Sequence, residues 1–242
     1  MVTAVIFAGG VGARMQSGSI PKQFLTVNDK PILIYTLEKF QNNPQVDAIV
    51  LACVESHIDY CRKLVEKFSI TKLAPASIVP GGQTGQESIY HALQAAASLS
   101  DKPGDIVLIH DGVRPLIDDD IIERNIAGVR EYGNAITAVE CKETVVLVDE
   151  GDTIDTVVDR SRARIARAPQ SFYLRDILAA HEQAIREGYT NAIDSATLMR
   201  RYGHTLHVVI GKSENIKITT PDDYFTFKAI LEAKRTSAVF GY

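Results

Sequence analysis

The amino-acid sequence predicts an α/β fold, in which a mostly parallel, twisted sheet carries helices on both faces. Three segments (2–7, 48–54 and 106–110) are continuously apolar, which is typical of parallel strands that are buried on both sides. Segments with helical spacing of apolar residues, or with high helix propensity, alternate with these strands. No internal repeat or low-complexity linker interrupts the 242 residues, so we expect a single domain over residues 1–242.

The remaining elements follow from the same patterns in chain order. We predict helices over residues 31–40, 58–68, 86–99, 121–132, 174–185 and 191–202, and a last helix that begins at Thr220 and Pro221. Short strands are predicted over residues 77–80, 135–139, 206–210 and 215–219. Ligands of such sheets bind beyond the carboxyl ends of the strands, so the loops that follow the strands are the candidate site segments.

Residues 145–158 depart from the alternating pattern. Two apolar stretches, 145–148 and 153–158, flank the turn-forming run 149–152, which predicts a β-hairpin. Such a hairpin either extends the edge of the sheet or projects from it, and we expect a projecting arm at about residues 140–160. Since a projecting arm needs a partner to bury its apolar side chains, the sequence predicts a homodimer.

Charge and composition argue against several classes of protein. The net charge of −4 argues against a nucleic-acid-binding surface, which is normally basic. No apolar run approaches the roughly 20 residues of a membrane-spanning helix, and no signal peptide precedes the first strand. The cysteines Cys53, Cys61 and Cys141 have no metal-ligand spacing and suit reduced thiols. We therefore expect a cytoplasmic protein with neither a membrane nor a nucleic-acid partner.

The loop after the first strand is rich in glycine and is followed by cations. Gly9, Gly10 and Gly12 leave backbone N–H groups accessible to a phosphate, and Arg14 and Lys22 could neutralise a polyphosphate there. The spacing matches neither a dinucleotide fingerprint nor a P-loop. An ordinary strand-to-helix turn with surface cations is the alternative interpretation.

Two later loops carry further candidate residues. Residues 81–88 are polar and glycine-rich and enter a helix whose free N–H groups could meet a ligand, although a simple helix cap explains them equally well. Asp111 follows a buried strand, where it could bind Mg²⁺ shared with substrate phosphates or pair with Arg114 and close a turn. The acidic run 118–120 precedes a helix and is interpreted as its cap.

Several later residues are ambiguous on pattern alone. Residues 159–167 contain four arginines that cannot all face one point, so one or two of them could clamp a phosphate. Lys217 lies in an apolar segment and is either a solvent-edge residue or a catalytic one. The six histidines show no ligand spacing and no partner nucleophile, and they are interpreted as structural.

Six motifs, taken together in this order, resemble one enzyme family. They are Ala8-Gly9-Gly10-x-Gly12-x-Arg14-Met15 with Pro21-Lys22-Gln23, Gly81-Gly82 with Ser88, His110-Asp111-x-x-Arg114-Pro115, Asp159-Arg160, Pro169-Gln170-Ser171-Phe172, and Asn215-Ile216-Lys217-Ile218-Thr219. The series is similar to that of the 2-C-methyl-D-erythritol 4-phosphate and ribitol 5-phosphate cytidylyltransferases, and it spans nearly the whole chain. The resemblance implies a Rossmann-like sheet, a homodimer joined through hairpin arms, and Mg²⁺-dependent transfer of CMP from CTP to an alditol phosphate with release of pyrophosphate.

The resemblance also implies roles for the nucleotide half of the site. Substrate binding would fall to Ala8, Gly9, Gly10, Gly12, Gly82 and Ser88, the last two in the cytosine and ribose pocket. Arg14 and Lys22 would hold the triphosphate, and Lys217 would stabilise the pentacoordinate transition state. No general base is required, because a phosphate nucleophile with a second pKa of about 6 is largely ionised at neutral pH.

For the acceptor half, the resemblance implies that Asp111 binds Mg²⁺. Arg160, reaching from the partner subunit's arm, would grip the alditol phosphate, with Arg114 nearby and Thr144 on the arm contributing.

The chain departs from the family pattern at the acceptor. The family often has Thr-Asp where this chain has Ile193-Asp194, so either the acceptor is bound differently here or its contact falls to Asp194 or Ser195. The favoured acceptor is 2-C-methyl-D-erythritol 4-phosphate, with ribitol 5-phosphate as the alternative. A nucleotidyltransferase for another base or sugar phosphate, and an inactive nucleotide-binding regulatory protein, are the remaining hypotheses. The joint presence of the catalytic cations and the carboxylate argues against the inactive protein.

Overall fold

The structure is a computed structural model that describes residues 1–9 and 20–240, with side chains described up to residue 236. The predicted site residues Gly10, Gly12 and Arg14 lie outside the described residues.

Helices and strands alternate along the described chain as the sequence predicts. The helices are α1 (Ile32–Asn42), α2 (Ile58–Lys67), α3 (Gly85–Leu99), α4 (Asp119–Tyr132), α5 (Leu174–Arg186), α6 (Ser195–Arg201) and α7 (Pro221–Phe240). The strands are β1 (Val2–Ala8), β2 (Thr26–Val27), β3 (Lys30–Pro31), β4 (Ala48–Cys53), β5 (Ile78–Pro80), β6 (Ile106–Asp111), β7 (Asn134–Glu140), β8 (Val146–Val148), β9 (Ile154–Val157), β10 (Arg164–Tyr173) and β11 (Val208–Ile210). Short 3-10 helices cover Lys22–Phe24, Glu55–His57 and Pro75–Ser77.

The central sheet has seven strands in the order β11-β7-β10-β6-β1-β4-β5. All pairs are parallel except those of β10, which runs antiparallel between β6 and β7. The register places Ala8 opposite Cys53, and Phe7 opposite Asp111, so β1, β4 and β6 end at the same edge of the sheet. The polar loops after these strands therefore meet at this edge.

Helices cover both faces of the sheet, as predicted. Side chains that alternate along β1 pack in opposite directions: Ile6 joins a cluster with residues of α1, α2 and α4, and Val5 joins a cluster with residues of α3, α5 and α6. Both clusters consist of buried aliphatic and aromatic side chains. The resulting three-layer arrangement holds the sheet edge rigidly, and the site is built there.

The predicted hairpin is confirmed, whereas two other predicted segments differ from the structure. β8 and β9 pair antiparallel across a turn at residues 149–152, and their side chains are exposed. The helix predicted from residue 191 begins only at Ser195, because the Asp194 side chain accepts the N–H of Thr197 and caps it. The strand predicted over residues 215–219 is not a strand; its backbone is held by isolated hydrogen bonds, such as that from Ile218 N to Val113 O (2.9 Å).

β10 is a strand that the sequence patterns do not reveal. Its first half carries arginines and is exposed, its second half is buried, and the pairing with β7 shifts register between Ala166 and Gln170. No helix of the described chain is long and apolar enough to cross a membrane.

Candidate active site

The segment that follows the glycine loop holds the carboxyl end of β1 in place. Gln23, in the 3-10 helix Lys22–Phe24, is buried and donates its side-chain N–H to the carbonyl oxygen of Ala8 (2.9 Å). This bond places Lys22 at the same sheet edge as Ala8 and Gly9. A Cβ at Gly9 would lie 3.2 Å from the hydroxyl of Ser88, so the glycine permits close approach of the loop to α3.

Ser88 lies in the first turn of α3, which begins at Gly85, and holds the preceding loop, residues 81–84, through a local hydrogen-bond network. Its Oγ accepts the N–H of Gly82 (2.9 Å) and donates to the carbonyl oxygen of Thr84 (2.9 Å). Thr84 caps α3 by accepting the N–H of Glu87 (3.1 Å). Ser88 thus shapes the loop. The helix cap that the sequence offered as one interpretation is present, and it is formed by the same segment that is predicted to bind the nucleotide.

Asp111 is the electrostatic centre of the site. It is buried at the end of β6, where one carboxylate oxygen accepts from Arg114 Nε (2.7 Å) and the other from Lys217 Nζ (2.6 Å). Burial acts to raise the pKa of Asp111, but the charges and hydrogen bonds of Arg114 and Lys217 outweigh it and hold the pKa at about 2. The Asp111–Arg114 pair, which the sequence left as one of two possibilities, is present. A second cation, Lys217, comes from a distant segment of the chain and also pairs with Asp111.

The segment after residue 214 is pinned so that Lys217 points at Asp111. Asn215 is buried and donates to the carbonyl oxygen of Ala168 (2.8 Å), while its own carbonyl oxygen accepts from Arg114 (3.0 Å). Arg167 contacts the same carbonyl oxygen at 3.4 Å, which brings it next to Arg114. Burial first, and then the charge of Arg114, lower the pKa of Arg167, so an anion bound here would relieve the repulsion.

These residues surround a cavity of about 310 Å³. Its charged lining consists of Arg114, Arg167 and Lys217 against Asp111 and Asp194. The excess of cations suits a phosphorylated ligand. The sheet floor is apolar and is formed by Phe7 and Ile109, and α3, β10, α5 and α6 supply the walls.

The wall beside α6 is tied together by glutamines. Gln170 donates to Asp194 (2.9 Å) and accepts the N–H of Ala196 (2.8 Å), so β10 is joined to the start of α6. Gln86 bridges α3 to the segment before α6 through Tyr189 O (2.8 Å) and Ala192 N (2.8 Å). These bonds give the cavity a fixed shape.

Asp111 can contribute one ligand to a magnesium ion. Among the described residues, no group of three or more acidic, histidine or cysteine side chains is placed so that it could hold a metal ion. Mg²⁺ in nucleotide sites commonly takes one or two carboxylates and completes its shell with phosphate oxygens and water. Each oxygen of Asp111 accepts one hydrogen bond and retains a further lone pair, so the residues fit a cation shared with a triphosphate.

The structure brings together some of the predicted site residues and not others. Asp111, Arg114, Asp194 and Lys217 line the cavity, while Ala8, Gly9, Gly82 and Ser88 form the adjoining loops at the same sheet edge.

Two of the predicted residues lie near the base of the hairpin instead. Thr144 is exposed, and Arg160 is exposed and donates to Lys142 O (3.3 Å). Neither residue lines the cavity of its own chain.

Arg167 is a site residue that sequence reasoning does not single out. It is one of four arginines in residues 159–167, and the charge pattern does not distinguish them. Its place two residues before the Pro169-Gln170-Ser171-Phe172 motif is the one signal that could have identified it.

Comparison with known proteins identifies the enzyme family of this chain. The family model described as IspD: 2-C-methyl-D-erythritol 4-phosphate cytidylyltransferase matches residues 2–233. The chain belongs to this family. It is therefore a CTP-dependent cytidylyltransferase, a nucleotidyltransferase whose substrates are CTP and a sugar phosphate, as the motifs predict.

Individual relatives span the full length of the cytidylyltransferase chain. The ribitol-5-phosphate cytidylyltransferase of Vibrio parahaemolyticus is 55% identical over 241 residues, with 100% of both chains covered. The 2-C-methyl-D-erythritol 4-phosphate cytidylyltransferase of Clostridium botulinum is 40% identical, covering 95% of this chain and 97% of its own. The crystal structure of the 4-diphosphocytidyl-2C-methyl-D-erythritol synthase from Anaerococcus prevotii superposes with a TM-score of 0.81 at 26% identity, covering 96% of each chain. The α/β fold is thereby confirmed.

Proposed function

We propose that this cytidylyltransferase transfers CMP from CTP to ribitol 5-phosphate, releasing pyrophosphate and forming CDP-ribitol. The observation that carries the proposal is the higher full-length identity to the ribitol enzyme than to the methylerythritol enzyme. It favours the acceptor that the sequence interpretation ranked second. The cationic cavity supports binding of a phosphorylated acceptor beside Asp111.

The reaction is an in-line displacement at phosphorus. A phosphate oxygen of the acceptor attacks the α-phosphorus of CTP, and the bond to the pyrophosphate oxygen breaks. Since the acceptor phosphate is already ionised, the protein's task is positioning and charge stabilisation. Lys217 suits this task because its side chain is 41% exposed while its Nζ lies against Asp111, so a small rotation would carry the charge to the substrate.

Other cations would neutralise the remaining negative charge of the two substrates. Arg114 and Arg167, adjacent in the cavity, would hold the acceptor phosphate. Lys22 and Arg14 would hold the triphosphate at the glycine loop. Asp111 would hold Mg²⁺ together with the triphosphate oxygens, and the bound ion would withdraw charge from the phosphorus under attack.

We also propose that the enzyme is a homodimer joined through the hairpins. Leu147, Ile154 and Val157 are large apolar side chains exposed on β8 and β9, which form a separate two-stranded sheet. A partner subunit would bury them, and its Arg160 and Thr144 would then reach this chain's cavity. Because CTP is an intracellular nucleotide, we propose a cytoplasmic location.

Steady-state pyrophosphate release tests the proposed reaction. CTP and Mg²⁺ are supplied with ribitol 5-phosphate, with 2-C-methyl-D-erythritol 4-phosphate, or with no acceptor, and UTP and GTP replace CTP in parallel. We expect a higher kcat/KM for ribitol 5-phosphate with CTP, and loss of turnover when Mg²⁺ is chelated. A higher kcat/KM for methylerythritol phosphate would overturn the proposed acceptor, and undiminished turnover in chelator would overturn the metal.

A further inference from the structure

The wall of the cavity formed by α5 and α6 carries two polar side chains without hydrogen-bond partners. His181, on α5, is 1% exposed, and Ser195, the first residue of α6, is 3% exposed. Neither ring nitrogen of His181, nor the hydroxyl oxygen of Ser195, has a partner among the described residues. Both residues line the cavity. A buried polar group without a partner is destabilising, so two of them in one cavity wall point to a ligand that supplies the partners.

The ring of His181 is packed against Tyr90, and both of its nitrogens are buried and unpaired. The imidazole ring stacks on Tyr90, with 6.0 Å between ring centroids and an angle of 18° between the planes. The hydroxyl of Tyr90 is used elsewhere, as an acceptor from Gln94 (3.2 Å). The face of the imidazole is therefore packed, and its edge carries the unpaired donor and acceptor.

His181 is uncharged at neutral pH. Burial lowers the pKa of His181 to about 4. A neutral imidazole has one N–H donor and one acceptor nitrogen, and a serine hydroxyl can do both. Such a pair matches the hydroxyl groups of a polyol, whereas a phosphate is better matched by cations.

The cavity lining therefore has a cationic part and an uncharged polar part. Arg114, Arg167 and Lys217 suit the acceptor phosphate, and His181 and Ser195 are neutral. With the phosphate beside Asp111, where the reaction occurs, the carbon chain extends into the rest of the cavity. Ribitol 5-phosphate carries a hydroxyl group on every carbon except the phosphorylated one. 2-C-methyl-D-erythritol 4-phosphate is one carbon shorter and has a methyl branch.

We propose that His181 and Ser195 bind hydroxyl groups of the alditol chain and make the enzyme specific for the acceptor with the longer main chain and the additional hydroxyl group. The inference rests on the proposed function and adds two specificity-determining residues to it. A site built to hydrogen-bond a hydroxyl discriminates strongly against a substrate that lacks one, because its own buried groups are then left unpaired. Methylerythritol phosphate, which has one hydroxyl group fewer, would leave one of the two side chains in that state.

His181→Leu and Ser195→Ala test this inference. The quantity measured is the ratio of kcat/KM for ribitol 5-phosphate to kcat/KM for methylerythritol phosphate. We expect His181→Leu to lower the ratio about ten- to a hundredfold, and Ser195→Ala about five- to tenfold, with the KM for CTP unchanged. His91→Leu is the matched control, since His91 lies on α3 outside the cavity lining and should leave the ratio unaltered.

Analogues of ribitol 5-phosphate that each lack one hydroxyl identify the contact. The hydroxyl that His181 binds should matter in the wild-type enzyme and lose its effect in His181→Leu. A purely structural role would lower the rates with all acceptors alike and leave the ratio unchanged.

The outcomes separate the inference from the proposed function. Ser195→Ala removes only a hydroxyl at a helical position that suits alanine, so it reports even if His181→Leu unfolds. A wild-type preference for ribitol 5-phosphate that both folded variants retain would overturn the inference alone. A wild-type preference for methylerythritol phosphate would overturn both.

Discussion

Replacing Lys217 with methionine removes the cationic end of the side chain and keeps most of its stem. Lys217 Nζ lies 2.6 Å from Asp111, but its side chain is 41% exposed, so the ion pair is partly solvated. Such pairs contribute about 1 kcal/mol or less to stability. Asp111 keeps its 2.7 Å hydrogen bond to Arg114, so its charge remains paired in the variant. We therefore expect the free energy of unfolding to change by no more than about 1 kcal/mol.

The effect of Lys217→Met on catalysis should be far larger. Losing a preorganised charge contact to the transition state typically costs about 3–4 kcal/mol, which corresponds to a hundred- to a thousandfold in rate. The assay is kcat for pyrophosphate release at saturating CTP and acceptor, together with urea unfolding followed by circular dichroism.

Two further variants make the comparison decisive. Lys212→Met is the matched control, because Lys212 also pairs with an aspartate, Asp118, but lies outside the cavity lining. It should leave kcat unchanged. Arg114→Met should instead destabilise the fold more than Lys217→Met does, because it removes the buried partner of Asp111 and the hydrogen bond to the carbonyl oxygen of Asn215, and leaves Asp111 paired only with the partly exposed Lys217. Near-normal kcat in Lys217→Met, or a stability loss as large as that of Arg114→Met, would refute the reasoning.

Three further predictions concern other parts of the molecule. Asp111 has a pKa of about 2 in the fold, below its ordinary value of about 4, so its stabilising effect is complete above about pH 4 and is lost as the pH falls towards 2. Urea unfolding across this range should therefore show a steeper loss of stability for the wild type than for Asp111→Asn, and parallel curves would contradict the assignment. Arg160→Ala should raise the KM for the acceptor more than the KM for CTP in steady-state assays, and an equal effect on both would remove Arg160 from the acceptor site. Leu147→Lys with Ile154→Lys should convert a dimer to a monomer in sedimentation experiments with the circular dichroism spectrum preserved, since both side chains are exposed in the single chain; a persistent dimer would exclude the hairpin as the interface.

The sequence alone determined the architecture, because burial on both faces leaves a direct trace in the order of residues. Residues 4–8 of β1, all of β4 and residues 106–109 of β6 are apolar, and polar residues follow each of these runs. Helix caps can also be predicted from the sequence: Asp118 and Thr220 cap α4 and α7 as their positions predict. The motifs indicated the family, because they depend only on residue types and on their order along the chain.

The antiparallel strand β10 illustrates what the local pattern does not contain. Its residues include Ala166, Ala168 and Pro169, which are unfavourable for a strand in isolation. They are accommodated because β6 and β7 flank it on both sides and because the register shifts before Gln170. Pairing between distant segments is a property of the folded chain.

Only the tertiary structure decided which polar residues meet. Arg167 is indistinguishable from its neighbouring arginines until β10 places it beside Arg114, at the carbonyl oxygen of Asn215. His181 follows Leu174 and Ile177 and precedes Ala184 on the core-facing side of α5, and sequence periodicity does not distinguish a core histidine from one that lines a cavity. The residues of the site come from segments separated by more than a hundred positions, and their meeting depends on strand order and helix packing, which act over distances that no local sequence pattern records.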